Sequence, residues 1–321
     1  MEGSLCAFFD FGAEAAIAFR ADMDALPIEE KTGAVYASRH PGAMHACGHD
    51  GHMAVALELA RRLSKRKRLR RNVLLVFQPA EEATGGAKDL CDRGIFQEYR
   101  VEAIFGLHLW PSLEKGKIFS KPGPMMSRSA ELDVDIFGRS AHIGRSWEGI
   151  DATEAACVFI QKAYALEGSL PDDIPRLLKF GRLQSGTVRN ALSAHARLEG
   201  GLRAFSDEIF FGLRDGLLEI AKEVEDQFGC TVKVHTSNGY PAIDNPRALH
   251  DRVKAIVPFE TLTEPSMTTE DFSWYQRYIP GMFFFLGLGE NPALHSSNFD
   301  FDEGVLTAGA DFFEKIAEGW E

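Results

Sequence analysis

Cysteine, long apolar runs and positive charge are all scarce in this chain of 321 residues. The five cysteines, Cys6, Cys47, Cys91, Cys157 and Cys230, are odd in number and far apart, which excludes a disulfide scaffold. No apolar stretch reaches the roughly 18–20 residues that cross a bilayer. Asp10 and Glu14 interrupt the opening segment where a signal peptide needs an unbroken apolar core. Lys and Arg number 35 against 47 Asp and Glu, a net charge of −12, which excludes a chain-wide surface for nucleic acid or anionic membrane. No repeat of about 20–50 residues is visible. What remains is a globular chain with 45% hydrophobic residues, long enough for about two domains. Its expected address is cytoplasmic.

The first third alternates strand-like and helix-like runs. Residues 15–20, 73–77 and 103–109 read as strands, with helices predicted over 52–64 and 84–93. That alternation predicts a mostly parallel sheet flanked by helices. After Lys121-Pro122-Gly123-Pro124 the order changes. A strand over 129–137, a helix over 150–166, strands over 177–184 and 191–204, a helix over 208–228 and a strand over 231–236 make a ferredoxin-like βαββαβ unit. Beyond Asn238-Gly239-Tyr240-Pro241 the first style returns, with helices over 246–256 and 269–278, a buried strand over 282–288 and a last helix over 305–319. The predicted fold is therefore α/β, with one discontinuous domain of residues 1–123 and 238–321 and a smaller α+β domain of 124–237 inserted into it.

The densest chemical feature is Met44-His45-Ala46-Cys47-Gly48-His49-Asp50-Gly51-His52. His45, Cys47 and His49 are spaced by two, so an extended backbone would point all three the same way. Imidazole and thiolate suit first-row divalent metals such as zinc, manganese, cobalt and nickel. In Phe77-Gln78-Pro79-Ala80-Glu81-Glu82 a strand stops at proline and two carboxylates follow, at the carboxyl end of a strand where sites form in parallel sheets. Neighbouring residues point apart, so one glutamate can bind metal while the other faces a water. His108 ends the apolar run 103–107, and His295 follows the buried strand by a short loop. Cys47, His49, Glu82, His108 and His295 could all reach one sheet edge, and five ligands suggest two metals.

Phe19-Arg20-Ala21-Asp22-Met23-Asp24-Ala25-Leu26-Pro27, the 45–52 cluster, Gln78-Pro79-Ala80-Glu81-Glu82, Gly106-Leu107-His108 and Thr269-Glu270-Asp271-Phe272 together resemble the M20 metallopeptidase family. The match is to its amidohydrolase branch, which includes N-acyl-amino-acid amidohydrolases, hippurate hydrolases and N-acetyldiaminopimelate deacetylase. The motifs run in the family's order over nearly the whole chain. The resemblance implies that Cys47, His49, Glu82, His108 and His295 ligate two divalent ions, manganese ahead of zinc, cobalt or nickel. It makes Glu81 the general base and Asp22 an acidic residue that orients the metal site. It also implies that the inserted domain is a lid that dimerises the chain and supplies substrate contacts, with His142, Asn190 and Arg203 at the matching positions. The expected substrate is a small N-acyl amino acid, cleaved at its amide; deacetylation of N-acetyldiaminopimelate and exopeptidase activity are the alternatives. An inactive metal-binding or dimerisation protein is the rival from another class. Family members carry a further segment before the first strand, and Ala191-Leu192-Ser193 stands where they have Val-Ile-Pro.

Two features are set aside. Residues 61–71 are crowded with Arg and Lys and read as a solvated helix end, where cations are favoured. Gly85-Gly86 lacks the full glycine-lysine pattern and is no phosphate loop.

Overall fold

The computed structural model describes residues 3–83 and 85–321. Its elements run β1 (Leu5–Phe9), β2 (Ala16–Asp22), α1 (His49–Leu63), β3 (Asn72–Gln78), α2 (Gly86–Asp92), α3 (Ile95–Glu98), β4 (Val101–Pro111), β5 (Ile118–Ser120) and β6 (Gly123–Met126). There follow β7 (Arg128–Phe137), α4 (Ala152–Gly168), β8 (Arg176–Ser185), β9 (His195–Ala204), α5 (Asp207–Phe228) and β10 (Thr231–Thr236). The chain closes with β11 (Ile243–Asn245), α6 (Arg247–Ile256), β12 (Glu260–Thr261), β13 (Gly281–Gly289) and α7 (Leu306–Gly319). Two compact units result: Met1–Met125 with Ile243–Pro265 and Glu270–Glu321, and Met126–Ala242 with Ser266–Thr269. The last four residues fall in the second unit because the Ser127 amide donates to the Ser266 and Thr268 carbonyls. That return strap is absent from the sequence reading.

The first unit is built on a seven-stranded sheet of order β1-β3-β2-β4-β13-β5-β12. β2 runs parallel to β3 and β4, and β4 to β13, while β1 and the β5–β13 pair are antiparallel. Every residue of β2 and β3 is buried, which is the mark of central strands covered on both faces. Because β2, β3 and β13 are aligned in one direction, the segments that leave their carboxyl ends emerge on the same edge of the sheet, as such folds require of a site. β1 was not foreseen; it is a five-residue edge strand, too short to stand out by alternation. The predicted helix over 269–278 is instead a 3-10 helix, Asp271–Arg277, capped by the Glu270 carboxylate accepting from Phe272 N–H.

The arginine-rich run 61–71 is not simply solvated. Arg62 pairs with Glu58, Asp311 and Glu314, and Arg66 with Glu314 and Glu318, so the end of α1 is tied to α7. Exposed pairs of this kind contribute about 0–1 kcal/mol each, and they consume the positive charge locally.

The second unit is a four-stranded antiparallel sheet of order β10-β7-β9-β8, with α4 and α5 supplying one core. Its chain order is βαββαβ, as the sequence predicts. Asp151 caps α4 through Thr153 N–H, and Ser206 caps α5 through Ile209 N–H. Strand β9 starts at His195 rather than 191, because Leu192 and Ser193 bond across to Ala141 and Ala152 instead. Among the described residues no helix is long and apolar enough to cross a membrane.

Candidate metal centre

The 45–52 cluster does not adopt the extended backbone that its spacing suggested. Ala46 and Cys47 form a turn, and Gly48, at φ +81°, swings the chain into α1, whose first residue is His49. A side chain on Gly48 would need that left-handed conformation and would sit 3.1 Å from Leu109 Cδ1, so glycine is required there. The consequence is a split cluster. Cys47 and His49 face the site, whereas His45 joins no group of converging ligand atoms found among the described residues.

Five such groups occur among the described residues; Asp22–His49–His52 and Glu81–Glu270–Asp271 adjoin, through His49 and Glu81, three that overlap at the predicted ligands. Cys47, His49 and His108 form one, Cys47, Glu82 and His295 a second, and His49, Glu81 and Glu82 a third, with the ligand atoms of each group within 4.8 Å of one another. Cys47 Sγ lies 3.5 Å from His108 Nε2, and His295 Nε2 lies 2.9 Å from Glu82 Oε1. His108 Nδ1 is 2.7 Å from the Leu109 carbonyl; as donor there, it leaves the Nε2 lone pair aimed at Cys47. The floor of the site is closed to bulk solvent, with His49 fully buried, while the His295 side chain is 51% exposed. His295 has φ +66° and Ala80, just before Glu81, has φ +60°. Strained non-glycine backbone of this kind is held only where the surroundings over-determine it; the His295 amide is tied to the Ala46 carbonyl at 2.8 Å.

The residues fit a pair of cations on two independent observations. His49 Nε2 is buried without a hydrogen-bond partner, which is costly unless something binds it. Charge is also unbalanced. Among the described residues, Arg20 is the one guanidinium facing the buried carboxylates Asp22, Glu81, Glu270 and Asp271. Burial and then the neighbouring Glu270 and Asp271 push the Glu81 carboxyl well above its ordinary range, and burial raises Glu270 to about 8. Burial and the adjacent Glu82 likewise push the Cys47 thiol up. Against the burial that would lower it, Asp22 and Asp24 hold His49 up at about 9. Dications placed among these groups would favour the ionised Glu81 and Cys47 and the neutral His49, the forms that can act on or ligate them.

Asp22 does not touch the open part of the site. It is fully buried, 2.6 Å from Arg20 Nη1 and 2.6 Å from His52 Nδ1, and 3.8 Å from His49 Nε2. His52 is saturated: its Nε2 accepts the Leu109 N–H at 2.9 Å, so its proton sits on Nδ1 toward Asp22. It has no lone pair left for a metal.

Sequence reasoning overlooked Asp24. Its two carboxylate oxygens accept the amides of Glu81 and Glu82 at 3.0 and 2.9 Å, and His49 Nδ1 is 3.0 Å from its carbonyl. One acid thus grips the glutamate pair and a histidine. The signal was present in Asp22-Met23-Asp24, where two acids end a strand, but nothing in the spacing says which of them turns toward the glutamates.

His142, Asn190 and Arg203 lie in the second unit. His142 pairs with Ala191 across an isolated bridge, Ile143 N–H donates to the Asn190 carbonyl, and both side chains are exposed. His142 Nδ1 accepts the Gly144 amide at 3.1 Å, and Arg203 donates to the Met267 carbonyl.

The family model for peptidase family M20/M25/M40 matches residues 18–319. The chain is 33% identical over 303 residues to the N-acetyldiaminopimelate deacetylase of Limosilactobacillus fermentum, covering 92% of this chain and 79% of that one. It is 35% identical to the enzyme of the same name from Lacticaseibacillus casei, covering 91% and 79%. Among solved structures, the YXEP protein of Bacillus subtilis, described as a dinuclear metal binding peptidase from the M20 family, superposes with a TM-score of 0.84 at 30% identity, over 98% of this chain and 84% of that one. A protein of methicillin-resistant Staphylococcus aureus superposes with a TM-score of 0.92 at 27% identity, over 98% and 84%. With its sheet, its clustered ligand atoms and a match that runs nearly end to end, the chain belongs to peptidase family M20/M25/M40.

Proposed function

We propose that this protein is a metal-dependent amidohydrolase that cleaves the amide of a small N-acyl amino acid to a carboxylate and a free amino acid, with N-acetyldiaminopimelate as the substrate to test first. The observation that carries the reading is the overlap of the Cys47–His49–His108 and Cys47–Glu82–His295 groups beside the buried Glu81. The names of the relatives support the choice of substrate.

Cys47, His49, Glu82, His108 and His295 would hold two divalent ions, manganese first and zinc, cobalt or nickel as alternatives, which supply Lewis-acid polarisation and ease the deprotonation of water. Glu81 takes the proton of the attacking water on its carboxylate. It returns that proton to the leaving nitrogen as the new C–O bond replaces the C–N bond. Asp24 orients this glutamate by holding its main-chain amide, and Asp22 acts from below through Arg20 and His52. On side-chain chemistry, His142 suits a developing oxyanion, and Asn190 and Arg203 the amino-acid end. A homodimer through the second unit is part of this reading. Its support is β8, an edge strand with Leu183 exposed, which is a template for pairing. The free cysteines support a reducing, cytoplasmic setting.

The test is purified protein loaded with each metal in turn and offered N-acetyldiaminopimelate and N-acetyl and N-benzoyl amino acids. Hydrolysis that a chelator abolishes is expected. Full metal occupancy with no hydrolysis of any of them would overturn the reading in favour of an inactive metal-binding protein.

A further inference from the structure

The segment that carries Glu81 and Glu82 leaves β3 after Gln78 and enters α2 at Gly86. A loop has no ladder to fix it, so something else must hold a carboxylate placed there. Asp271, fully buried at the start of a 3-10 helix, touches both stems and the glutamate between them. Its Oδ1 accepts from Gln78 Nε2 at 2.9 Å and from Arg20 Nη2 at 2.8 Å. Its Oδ2 accepts from Gln78 Nε2 at 2.7 Å and from the Ala87 amide at 3.0 Å. Its own main-chain N–H points at Glu81 Oε1, 3.3 Å away. The stems are drawn so close that a Cβ on Gly86 would lie 2.0 Å from the Pro79 carbonyl oxygen.

Each of these contacts has a direction. Gln78 presents its NH2 to Asp271 because its Oε1 is already taken by Arg20 Nε at 2.9 Å and the Tyr275 hydroxyl at 2.8 Å. Gln78, Arg20 and the Ala87 amide all meet the Asp271 carboxylate as donors, and an acceptor with two oxygens serves all three. The cluster Glu81, Glu270 and Asp271 has metal-like spacing, but Arg20 already sits against Glu270 and Asp271 at 2.9 and 2.8 Å. Its cation is a guanidinium.

We propose that Asp271 is a positioning residue for the hydrolysis: its carboxylate staples the two stems of the glutamate loop while its amide sets the Glu81 carboxylate. The inference rests on the reading of Glu81 as general base. Misplacing a reacting group by about 1 Å costs about a hundredfold in rate, and this is the effect expected from losing the staple.

Asp271→Asn is close to isosteric and puts an NH2 against donors. The experiment measures kcat, KM, bound metal and thermal stability for Asp271→Asn, for the swap Gln78→Glu/Asp271→Asn, and for Glu81→Gln. In the swap, the asparagine NH2 regains an acceptor at position 78 and the buried charge is conserved, Arg20 and Tyr275 still find oxygens at position 78, and the asparagine oxygen keeps one of the Arg20 and Ala87 donors, so the rescue is partial. The expected result is Asp271→Asn with kcat down about a hundredfold, KM within about threefold and both metal ions retained, the pattern of an interaction realised only in the transition state. The swap should regain at least about tenfold of that loss. With Glu81→Gln inactive, an Asp271→Asn enzyme with kcat within about threefold of wild type overturns the positioning role and leaves the base assignment standing. An active Glu81→Gln enzyme overturns the base assignment itself, whatever Asp271 does. Should Asp271→Asn fail to fold, the swap is read alone. Full metal content with kcat within about tenfold of wild type supports the staple, and full metal content with turnover as low as Glu81→Gln overturns it.

Discussion

Replacing His52 with leucine separates a buried structural histidine from a metal ligand, although both lie in one dense motif. His52 is 3% exposed and makes two hydrogen bonds, Nδ1 to Asp22 at 2.6 Å and Nε2 from the Leu109 amide at 2.9 Å. Leucine has a similar volume and can make neither. The Leu109 N–H is then left buried without an acceptor, a cost of about 1–3 kcal/mol, and the charged Asp22 loses its His52 donor, a bond worth about 1.5–3 kcal/mol. The added apolar burial offsets part of this, leaving a net loss of about 2–4 kcal/mol. That is a large share of the roughly 5–15 kcal/mol that holds a domain folded. Denaturant unfolding of the metal-free protein reads the stability, and elemental analysis of the desalted protein reads the metal. His52→Leu should be less stable yet bind two ions per chain, whereas His49→Leu should bind fewer. A folded His52→Leu protein that has lost an ion, or one with unchanged stability, would refute the hydrogen-bond assignment.

Two further outcomes follow from the same structure. Gly86→Ala would force a Cβ to within 2.0 Å of a main-chain oxygen; it should lower stability by about 1–3 kcal/mol and reduce kcat, since the backbone that must yield carries Glu81, and melting curves with steady-state rates check both. Cys157 is exposed, Cys6 half-buried and the other cysteines buried. A thiol reagent added to the native protein should therefore show one fast equivalent that Cys157→Ser removes with turnover unchanged.

Local residue pattern revealed much of the fold. Alternation and turn residues locate the central strands and helices that bear the site, and the βαββαβ order of the second unit, because most of them are long or flanked by glycine and proline. The misses have physical causes. Cys47 and His49 share a face through a left-handed glycine and a helix start, not through the extended spacing that suggested them. Leu5–Phe9 depends on its pairing with β3, which the strand's own residues do not announce. The ring of Arg20, Gln78, Glu270 and Asp271 joins residues some 250 positions apart, so no local motif can show that a single arginine anchors three acids. Asp24 was passed over for Asp22 because strand geometry alone does not say which acid turns toward the next loop.

The central claim is that Glu81 moves the proton while its neighbours hold the metals. Glu81→Gln keeps the size of the side chain and removes its basicity. Turnover and metal content measured on the same preparation of that variant test the claim most directly. The account predicts two bound ions per chain with kcat lower by about 10²–10⁴-fold. Near-normal turnover, with the ions in place, would contradict it.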